Sequence, residues 1–181
     1  ADPVYRYYAV EDPAKREYEP VTVTPSVAQA AMIGNPVSFP RVKYFADQFV
    51  EAGGESAFQV IQVTEQQIMD SMLLANRHGH IACAQGGECL AGLMRAKELG
   101  IIASDECAIL DATAHALKFI DFQTSYFADT IPPEYEVTSR EELKNAPQLL
   151  IDPSEKDRLS SDDYTVQAAE AVVAKLGLSA K

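Results

Sequence analysis

Apolar side chains recur at helical spacing in two stretches of the first half of the chain. Over residues 38–52, Val42, Phe45, Phe49 and Val50 fall near one face, and a Gly-Gly pair follows. A second stretch begins after a threonine that has a glutamine three residues on, which is the spacing of a capping box. The residues concerned are Thr64 and Gln67, followed by Ile68, Met72 and Ala75 on the inner face. The pattern predicts amphipathic helices at 38–52 and 64–79.

Three short apolar runs lie at residues 57–63, 80–84 and 108–111. Their length and composition are typical of buried strands. A predicted helix follows each of the first two runs, the second of these helices covering 88–99. Because alternating strands and helices favour an α/β architecture, we expect part of a three-layer fold in which helices cover a parallel sheet.

The beginning of the chain is rich in tyrosine, proline and charge, and it shows no sustained period. We expect an extended lead-in at residues 1–24. A short helical stretch is predicted to open at 24–26, because Thr or Ser accepts backbone N–H bonds at a helix start and Pro fits the first turn. It runs through Met32 and ends at the Gly-Asn-Pro of 34–36.

Prolines interrupt the chain after Gln123, and one more helix is predicted at 162–176, capped by Ser161 or Asp162. Its expected inner face consists of Val166, Ala169, Val172, Val173 and Leu176. The expected organisation is a lead-in at 1–24, an α/β layer at 25–125 and a covering wrap at 126–181.

Bulk properties narrow the class of protein. The chain of 181 residues is long enough for one compact domain with a sizeable core. Its net charge is −12, and since phosphate backbones need clustered Lys and Arg, nucleic acid is not an expected partner. No apolar run has the length of a membrane span, so no membrane association is expected.

The cysteines at 83, 89 and 107 lie in apolar, small-residue surroundings and form no C-x-x-C pair. This usage favours buried, reduced thiols and a cytoplasmic location. A catalytic cysteine paired with one of the histidines at 78, 80 and 115 stays open as an alternative.

Gly86 and Gly87 separate a predicted strand from a predicted helix. Glycine lets the backbone approach a ligand, and a helix start offers free N–H groups and a positive dipole end. The pair could therefore hold an anion or line a cofactor site. A purely structural turn explains the same two residues.

Polar side chains follow the third predicted strand, within residues 111–118. Ligands of parallel α/β sheets bind just beyond the carboxyl ends of the strands. Thr113, His115 and Lys118 could there bind, orient or transfer a proton. In the alternative interpretation Thr113 caps a short helix, His115 is a satisfied polar residue and Lys118 is solvated.

Taken in order, three segments resemble the threonine synthases, which belong to the fold type II pyridoxal-phosphate enzymes with a tryptophan synthase β-like fold. The segments are 24–28 leading to 33–38, then 84–93, then 111–118. The resemblance covers roughly residues 20–125 and implies the C-terminal portion of the enzyme.

The resemblance implies a reaction and a cofactor. Threonine synthases convert O-phospho-L-homoserine and water to L-threonine and phosphate, with pyridoxal 5'-phosphate as the electron sink. Thr113 matches the threonine whose hydroxyl pairs with the pyridine nitrogen of the cofactor, and such a neutral partner leaves that nitrogen largely unprotonated. Gln85 and Gly86 match the segment beside the cofactor ring. Ala114 and Ala116 stand where the family often has glycine.

The family's Schiff-base lysine, ring-contacting asparagine and phosphate loop all lie N-terminal to the first of these motifs. Nothing in residues 1–23 resembles them, and Lys118 belongs to a different motif. We expect Lys15, Lys43 and Lys97 on solvated faces. We therefore expect no catalytic residue here, no activity of the chain alone, and the missing N-terminal part of the enzyme as a partner. Uncovered strand edges would also favour homo-oligomers.

Two other functions compete with this interpretation. The chain could be a non-catalytic ligand-binding or regulatory α/β module that kept the fold and lost the chemistry. It could also be an unrelated α/β protein that binds a small molecule and matches the motifs by chance.

Overall fold

The computed structural model describes residues 2–144, 147 and 149–178. The α-helices of this part are α1 (Pro3–Tyr8), α2 (Phe39–Gly53), α3 (Glu65–Arg77), α4 (Ala84–Glu98), α5 (Ile120–Phe127), α6 (Glu155–Arg158) and α7 (Ser161–Lys175). The chain divides into two compact units, 1–144 and 145–181. The three-part organisation expected from the sequence stays a prediction. No helix within the described ranges has the length and apolar character needed to cross a membrane.

The expected parallel sheet is wrong, because residues 2–144, 147 and 149–178 form no sheet. Strand-type pairing in that part is limited to one isolated antiparallel bridge between Ala82 and His115. The run at 108–111 is irregular, and Ile109 is 96% exposed. A strand persists only where neighbouring backbone takes up its N–H and C=O groups, and a short apolar run cannot supply such a neighbour. The first unit is therefore helical and irregular, with no α/β layer.

Helix α3 forms as the sequence predicts. Thr64 Oγ1 accepts from the backbone N–H of Gln67 (3.2 Å), and Gln67 Oε1 accepts from the N–H of Thr64 (2.9 Å). This reciprocal capping box satisfies two N–H groups that the helix itself leaves unpaired. Helix α2 also starts and ends within one residue of its predicted bounds.

Helices α3 and α4 pack together at the centre of the first unit. The core contains two of the three expected inner-face residues of α3, Ile68 and Met72, and several residues that the helical period did not identify; Ala75 is buried outside this cluster. Its buried members are Val27, Ala28, Ile68, Met69, Met72, Leu73, Ala84 and Tyr126. Burial of these apolar side chains is the main stabilising contribution, at about 25 cal/mol per Å² removed from water.

A polar group beside this core ties the segment after α5 to α3. The hydroxyl of the fully buried Tyr126 donates to Asp70 Oδ1 (3.1 Å) and accepts from the backbone N–H of Arg140 (2.9 Å). Arg140 also forms an ion pair with Asp70 (3.2 Å). Burial, together with the nearby Asp70 carboxylate, raises the pKa of Tyr126 to about 12. The phenol therefore stays protonated and satisfied.

The lead-in at 1–24 is not extended throughout, since α1 occupies Pro3–Tyr8. Aromatic packing explains the departure, because the Tyr7 and Tyr18 rings lie 5.0 Å and 4.0 Å from the Phe39 ring. The helix expected through Met32 shrinks to a 3₁₀ turn, Gln29–Ala31. Local caps alone cannot extend so short a helix.

Gly34, the glycine of the Gly-Asn-Pro motif, allows the backbone at Val21 to approach closely. Its backbone does not adopt a left-handed conformation. The Gly34 carbonyl accepts from the Val21 N–H (2.9 Å), and a Cβ on Gly34 would clash with the Val21 carbonyl oxygen. The motif thereby fixes the lead-in against the segment before α2.

In the second unit, α7 begins one residue earlier than predicted. Its cap is Ser160, whose Oγ accepts from the N–H of Asp163 (3.2 Å), in place of Ser161 or Asp162. The apolar residues expected on its inner face are not buried. The helical period predicted this helix correctly. The buried face that it also predicted is absent among the described residues.

Candidate functional site

The Gly-Gly pair lies inside a helix. Helix α4 begins at Ala84, earlier than expected, so Gly86 and Gly87 belong to its first turn. A Cβ on Gly87 would lie 2.5 Å from the Ile68 carbonyl oxygen and 2.7 Å from Met72 Cβ. The predicted turn between a strand and a helix is therefore wrong at these positions. The absence of a side chain at Gly87 instead allows α4 to pack directly on α3.

Gln85 lies in the same first turn and is only 7% exposed. Its Nε2 and Oε1 atoms are both buried, and neither has a hydrogen-bond partner within the described ranges. A buried polar group without a partner costs about 1–3 kcal/mol, so native structures rarely leave one. Within the described residues the Gln85 amide therefore lacks the hydrogen-bond partner that a buried polar group normally has.

The segment that contains Thr113 runs past the start of α4. Its far end is held by the backbone N–H of Ala116, which donates to the Ile81 carbonyl (3.2 Å), next to the Ala82–His115 bridge. Its near end is held by Cys89, whose thiol donates to the Asp111 carbonyl (3.2 Å).

Between these two attachments, Ala112 lies against Gly86. A Cβ built on Gly86 would be 3.8 Å from Ala112 Cα and 4.0 Å from Ala112 Cβ. Thr113 follows Ala112 directly, and Gln85 precedes Gly86. The structure thus places Gly86 against Ala112, and Gln85 and Thr113 are the chain neighbours of these two residues. That Gln85 and Thr113 form one site stays a prediction.

The three polar residues predicted to act in this segment, Thr113, His115 and Lys118, differ in their surroundings. Thr113 is exposed and does not cap a helix. The cap is His115, whose Nδ1 accepts from the N–H of Leu117 (3.2 Å) at the start of the 3₁₀ turn Ala116–Phe119. Lys118 is exposed. The hydroxyl of Thr113 is therefore accessible to a ligand, while the imidazole has a local structural role.

The cysteines carry no sign of a nucleophile. Cys83, Cys89 and Cys107 are all free thiols, but only Cys83 is buried as expected, since Cys89 is partly buried and Cys107 is exposed. Burial, followed by repulsion from the carboxylates of Glu88 and Asp111, raises the pKa of Cys89, whereas a catalytic cysteine needs a lowered pKa. Across the residues that the structure describes, no three His, Cys, Asp or Glu side chains come together to hold a metal ion.

A second feature of the first unit was not predicted from the sequence. A cleft of about 610 Å³ lies between α1, the lead-in, the segment before α3 and α4. Two of its acidic residues, Glu65 and Glu88, come from different helices. Burial, and then the Glu65 carboxylate, raises the pKa of the half-buried Glu88. No local signal could reveal the cleft, because its walls are far apart in the sequence.

Comparison with curated proteins relates the chain to a family of enzymes of amino-acid biosynthesis, the lyases that form threonine. The relationship is to the C-terminal portion of threonine synthase, as the three sequence segments indicated. The chain is 30% identical over 131 residues to threonine synthase 2, chloroplastic, of Arabidopsis thaliana, which covers 72% of this chain and 24% of that protein.

It is also 33% identical over 94 residues to the threonine synthase of Methanocaldococcus jannaschii, covering 51% of this chain and 22% of the relative. The chain thus spans about a quarter of the length of the curated relatives it matches. No protein-family profile matches it.

Proposed function

We propose that this chain forms part of a threonine synthase that converts O-phospho-L-homoserine and water to L-threonine and phosphate with pyridoxal 5'-phosphate. The names and identities of the two relatives support the family, and the reaction follows from it. The structural observation that carries the proposal is the buried, unsatisfied amide of Gln85, beside the contact between Gly86 and Ala112.

The chemistry of the residues at these positions suits the cofactor, but the Gln85 amide is enclosed in this structure and must be uncovered before a ring can reach it. Gln85 offers a donor and an acceptor with no partner in the described part of the chain, and Thr113 offers an accessible hydroxyl. Gly86 has no side chain, and a Cβ there would lie 3.2 Å from Ala82 Cβ and 3.8 Å from Ala112 Cα, so its bare backbone allows these residues to approach closely. An amide without a partner at Gln85, an accessible hydroxyl at Thr113 and the backbone of Gly86 together suit a flat, polar heterocycle.

Pyridoxal phosphate, when bound, withdraws electrons from the carbon atoms of an attached amino acid. In our proposal Thr113 binds the pyridine nitrogen through its hydroxyl, which is neutral and so does not favour protonation of that nitrogen. Gln85 binds and orients the ring edge through its amide. Both residues act by positioning, and neither is proposed to transfer a proton.

We further propose that the chain alone is inactive and that its partner is the remainder of the same enzyme. Two lysines support this, since Lys43 pairs with Asp47 (2.6 Å) and Lys144 pairs with Asp129 (2.8 Å), and neither of these amines is free to hold the cofactor. Near the site, Ile81, Ile109 and Leu117 are exposed, which favours a covering surface. The free thiols support a cytoplasmic location.

Phosphate release from O-phospho-L-homoserine tests the proposed function. We expect release by the full-length gene product and none by residues 1–181 alone. Phosphate release by neither protein would contradict the proposed reaction and would favour a non-catalytic ligand-binding module. Release by residues 1–181 alone would contradict the need for a partner.

Substitution of Thr113 tests its role in the full-length protein. Thr113→Val removes the hydroxyl and keeps the shape, so we expect kcat to fall about 10- to 100-fold, as when other orienting hydrogen bonds are removed. Thr113→Ser should retain most activity. Thr130→Val, which removes an exposed threonine hydroxyl, is the matched control. Equal activity of the Val and Ser variants at position 113 would contradict the assignment.

A further inference from the structure

A segment of irregular backbone, residues 107–113, crosses the start of α4 with few attachments. All of its residues are exposed, and its apolar side chains do not anchor it, since Ile109 is 96% exposed and Leu110 is 39% exposed. Among the described residues, its hydrogen bonds to other parts of the chain are limited to the one from the Cys89 thiol to the Asp111 carbonyl (3.2 Å). A thiol is a weak donor, so this bond contributes little to holding the segment in place.

Two contacts place this segment over the face of α4 that carries Gln85. Asp111 is bonded to Cys89, and Ala112 Cα would lie 3.8 Å from a Cβ on Gly86. Gln85 precedes Cys89 by four residues, and residues four apart share one face of a helix. The Gln85 amide therefore lies on the covered face, in agreement with its burial.

The closed arrangement leaves polar groups at the start of α4 unsatisfied. Both polar atoms of the Gln85 side chain are buried without a partner in the described part of the chain. The first hydrogen bond of the helix runs from the Gly87 N–H to the Cys83 carbonyl (2.9 Å), so the N–H groups of Gln85 and Gly86 have no acceptor inside the helix. Water would satisfy these groups if the segment moved away. Opening would therefore gain hydrogen bonds while breaking few contacts.

We propose that residues 111–114 form a lid that moves away from α4 and uncovers Gln85. Its fixed end is the buried Ala116, whose N–H donates to the Ile81 carbonyl (3.2 Å). Thr113 lies on the lid itself, so the movement would both admit a ligand and carry this hydroxyl. Segments that close over a site in this way control the entry of ligands. As a gate to the cofactor site the lid rests on the function proposed above, whereas its opening is measured without cofactor or substrate.

Hydrogen exchange of the unmodified 181-residue chain, followed by NMR, tests the lid. After correction for intrinsic rates, we expect the N–H groups of Gln85 and Gly86 to exchange at least about 100-fold faster than that of Leu73. Leu73 is buried in the middle of α3, so its N–H should exchange only on global unfolding. Gly87 should stay protected, because lid opening leaves its hydrogen bond within the helix intact.

Cys89 provides a second test. Cys89→Ala removes the donor to the Asp111 carbonyl, so it should raise the exchange rates of the two uncovered α4 amides about three-fold and leave those of α3 unchanged. Cys89→Ser keeps a donor and should restore the original rates. Cys107→Ser, at an exposed position, is the matched control and should change nothing.

Three results would each overturn the lid. Exchange of Gln85 as slow as that of Leu73 would mean that the cover opens only on global unfolding. Exchange of Gly87 as fast as that of Gln85 would mean that the helix end frays. Equal rates in Cys89→Ala and Cys107→Ser would mean that Cys89 does not hold the segment. None of these results bears on the proposed reaction, which phosphate release by the full-length protein tests separately.

Discussion

The two sides of helix α4 differ in what they contact. On one side, Gly87 lies so close to α3 that a single Cβ would meet backbone and side chain of that helix. On the other side, Glu88 and Gly92 line an open cleft, and a Cβ on Gly92 would meet nothing within 4 Å. Glycine therefore has opposite effects on stability at two positions of α4. Glycine is required where two helices touch, and it weakens the helix where nothing covers it.

The strongest test of the closed side is Gly87→Ala. The added methyl group would lie 2.5 Å from the Ile68 carbonyl oxygen, so the helices must shift apart. We expect the free energy of unfolding to fall by roughly 2–3 kcal/mol, measured by urea denaturation. A loss below about 0.5 kcal/mol would mean that α3 and α4 are not in this close contact.

Tyr126→Phe tests the polar group that borders the same core. The change removes the hydroxyl that binds Asp70 and leaves the Arg140 N–H without its acceptor. We expect a loss of about 1.5–2 kcal/mol in the same denaturation experiment. Tyr164→Phe is the control, because α7 carries no buried residue and the change there should cost little. Equal effects of the two substitutions would contradict the proposed network.

On the open side, Gly92→Ala should stabilise the protein. Ala loses less backbone entropy than Gly in a helix, and its methyl group meets open space here. We expect a gain of about 0.5–1 kcal/mol in the free energy of unfolding. Destabilisation by this change would show that the cleft side of α4 is covered.

The smallest expected effect is that of Glu88→Gln on stability. Because the folded pKa of Glu88 is raised, the folded protein binds its proton more tightly than the unfolded chain does. The contribution of Glu88 to stability is full below the ordinary pKa of glutamate and is lost as the pH rises through the raised value. Glu88→Gln should therefore gain a few tenths of a kcal/mol at neutral pH, after solvent screening, and less in acid. The urea midpoint measured at both pH values checks this, and a gain that grows in acid would contradict it.

Local signals predicted the parts of the fold that depend on neighbouring residues. The capping box of Thr64 and Gln67 predicted where α3 begins, and the apolar period predicted the side of α3 that faces the core. Strands could not be predicted in the same way, because the apolar runs at 57–63 and 108–111 have no pairing partner in the described chain. Gly87 was misjudged as a turn residue because its constraint, the backbone of Ile68, is distant in sequence.

For the candidate site, the sequence identified the residues but not the arrangement that brings them together. The order of the motifs pointed to Gln85, Gly86 and Thr113. It did not show that the segment 111–116, held by hydrogen bonds of Cys89 and Ala116, would lie on the start of α4. Glu88 carried no sequence signal at all, because its significance depends on Glu65 and on the lead-in that closes the cleft.

A designed disulfide tests most directly whether the Thr113 segment lies on the start of α4. The Cβ positions at 86 and 112 are 4.0 Å apart, within the range of a disulfide. In a background with Cys107→Ser and with Cys89→Ser, which keeps a donor for the Asp111 carbonyl, we expect Gly86→Cys with Ala112→Cys to form a cross-link, detected by peptide mass spectrometry after mild oxidation. The control pair, Gly92→Cys with Ala112→Cys, should remain reduced. No cross-link in the first pair, or equal cross-linking of both pairs, would contradict the site.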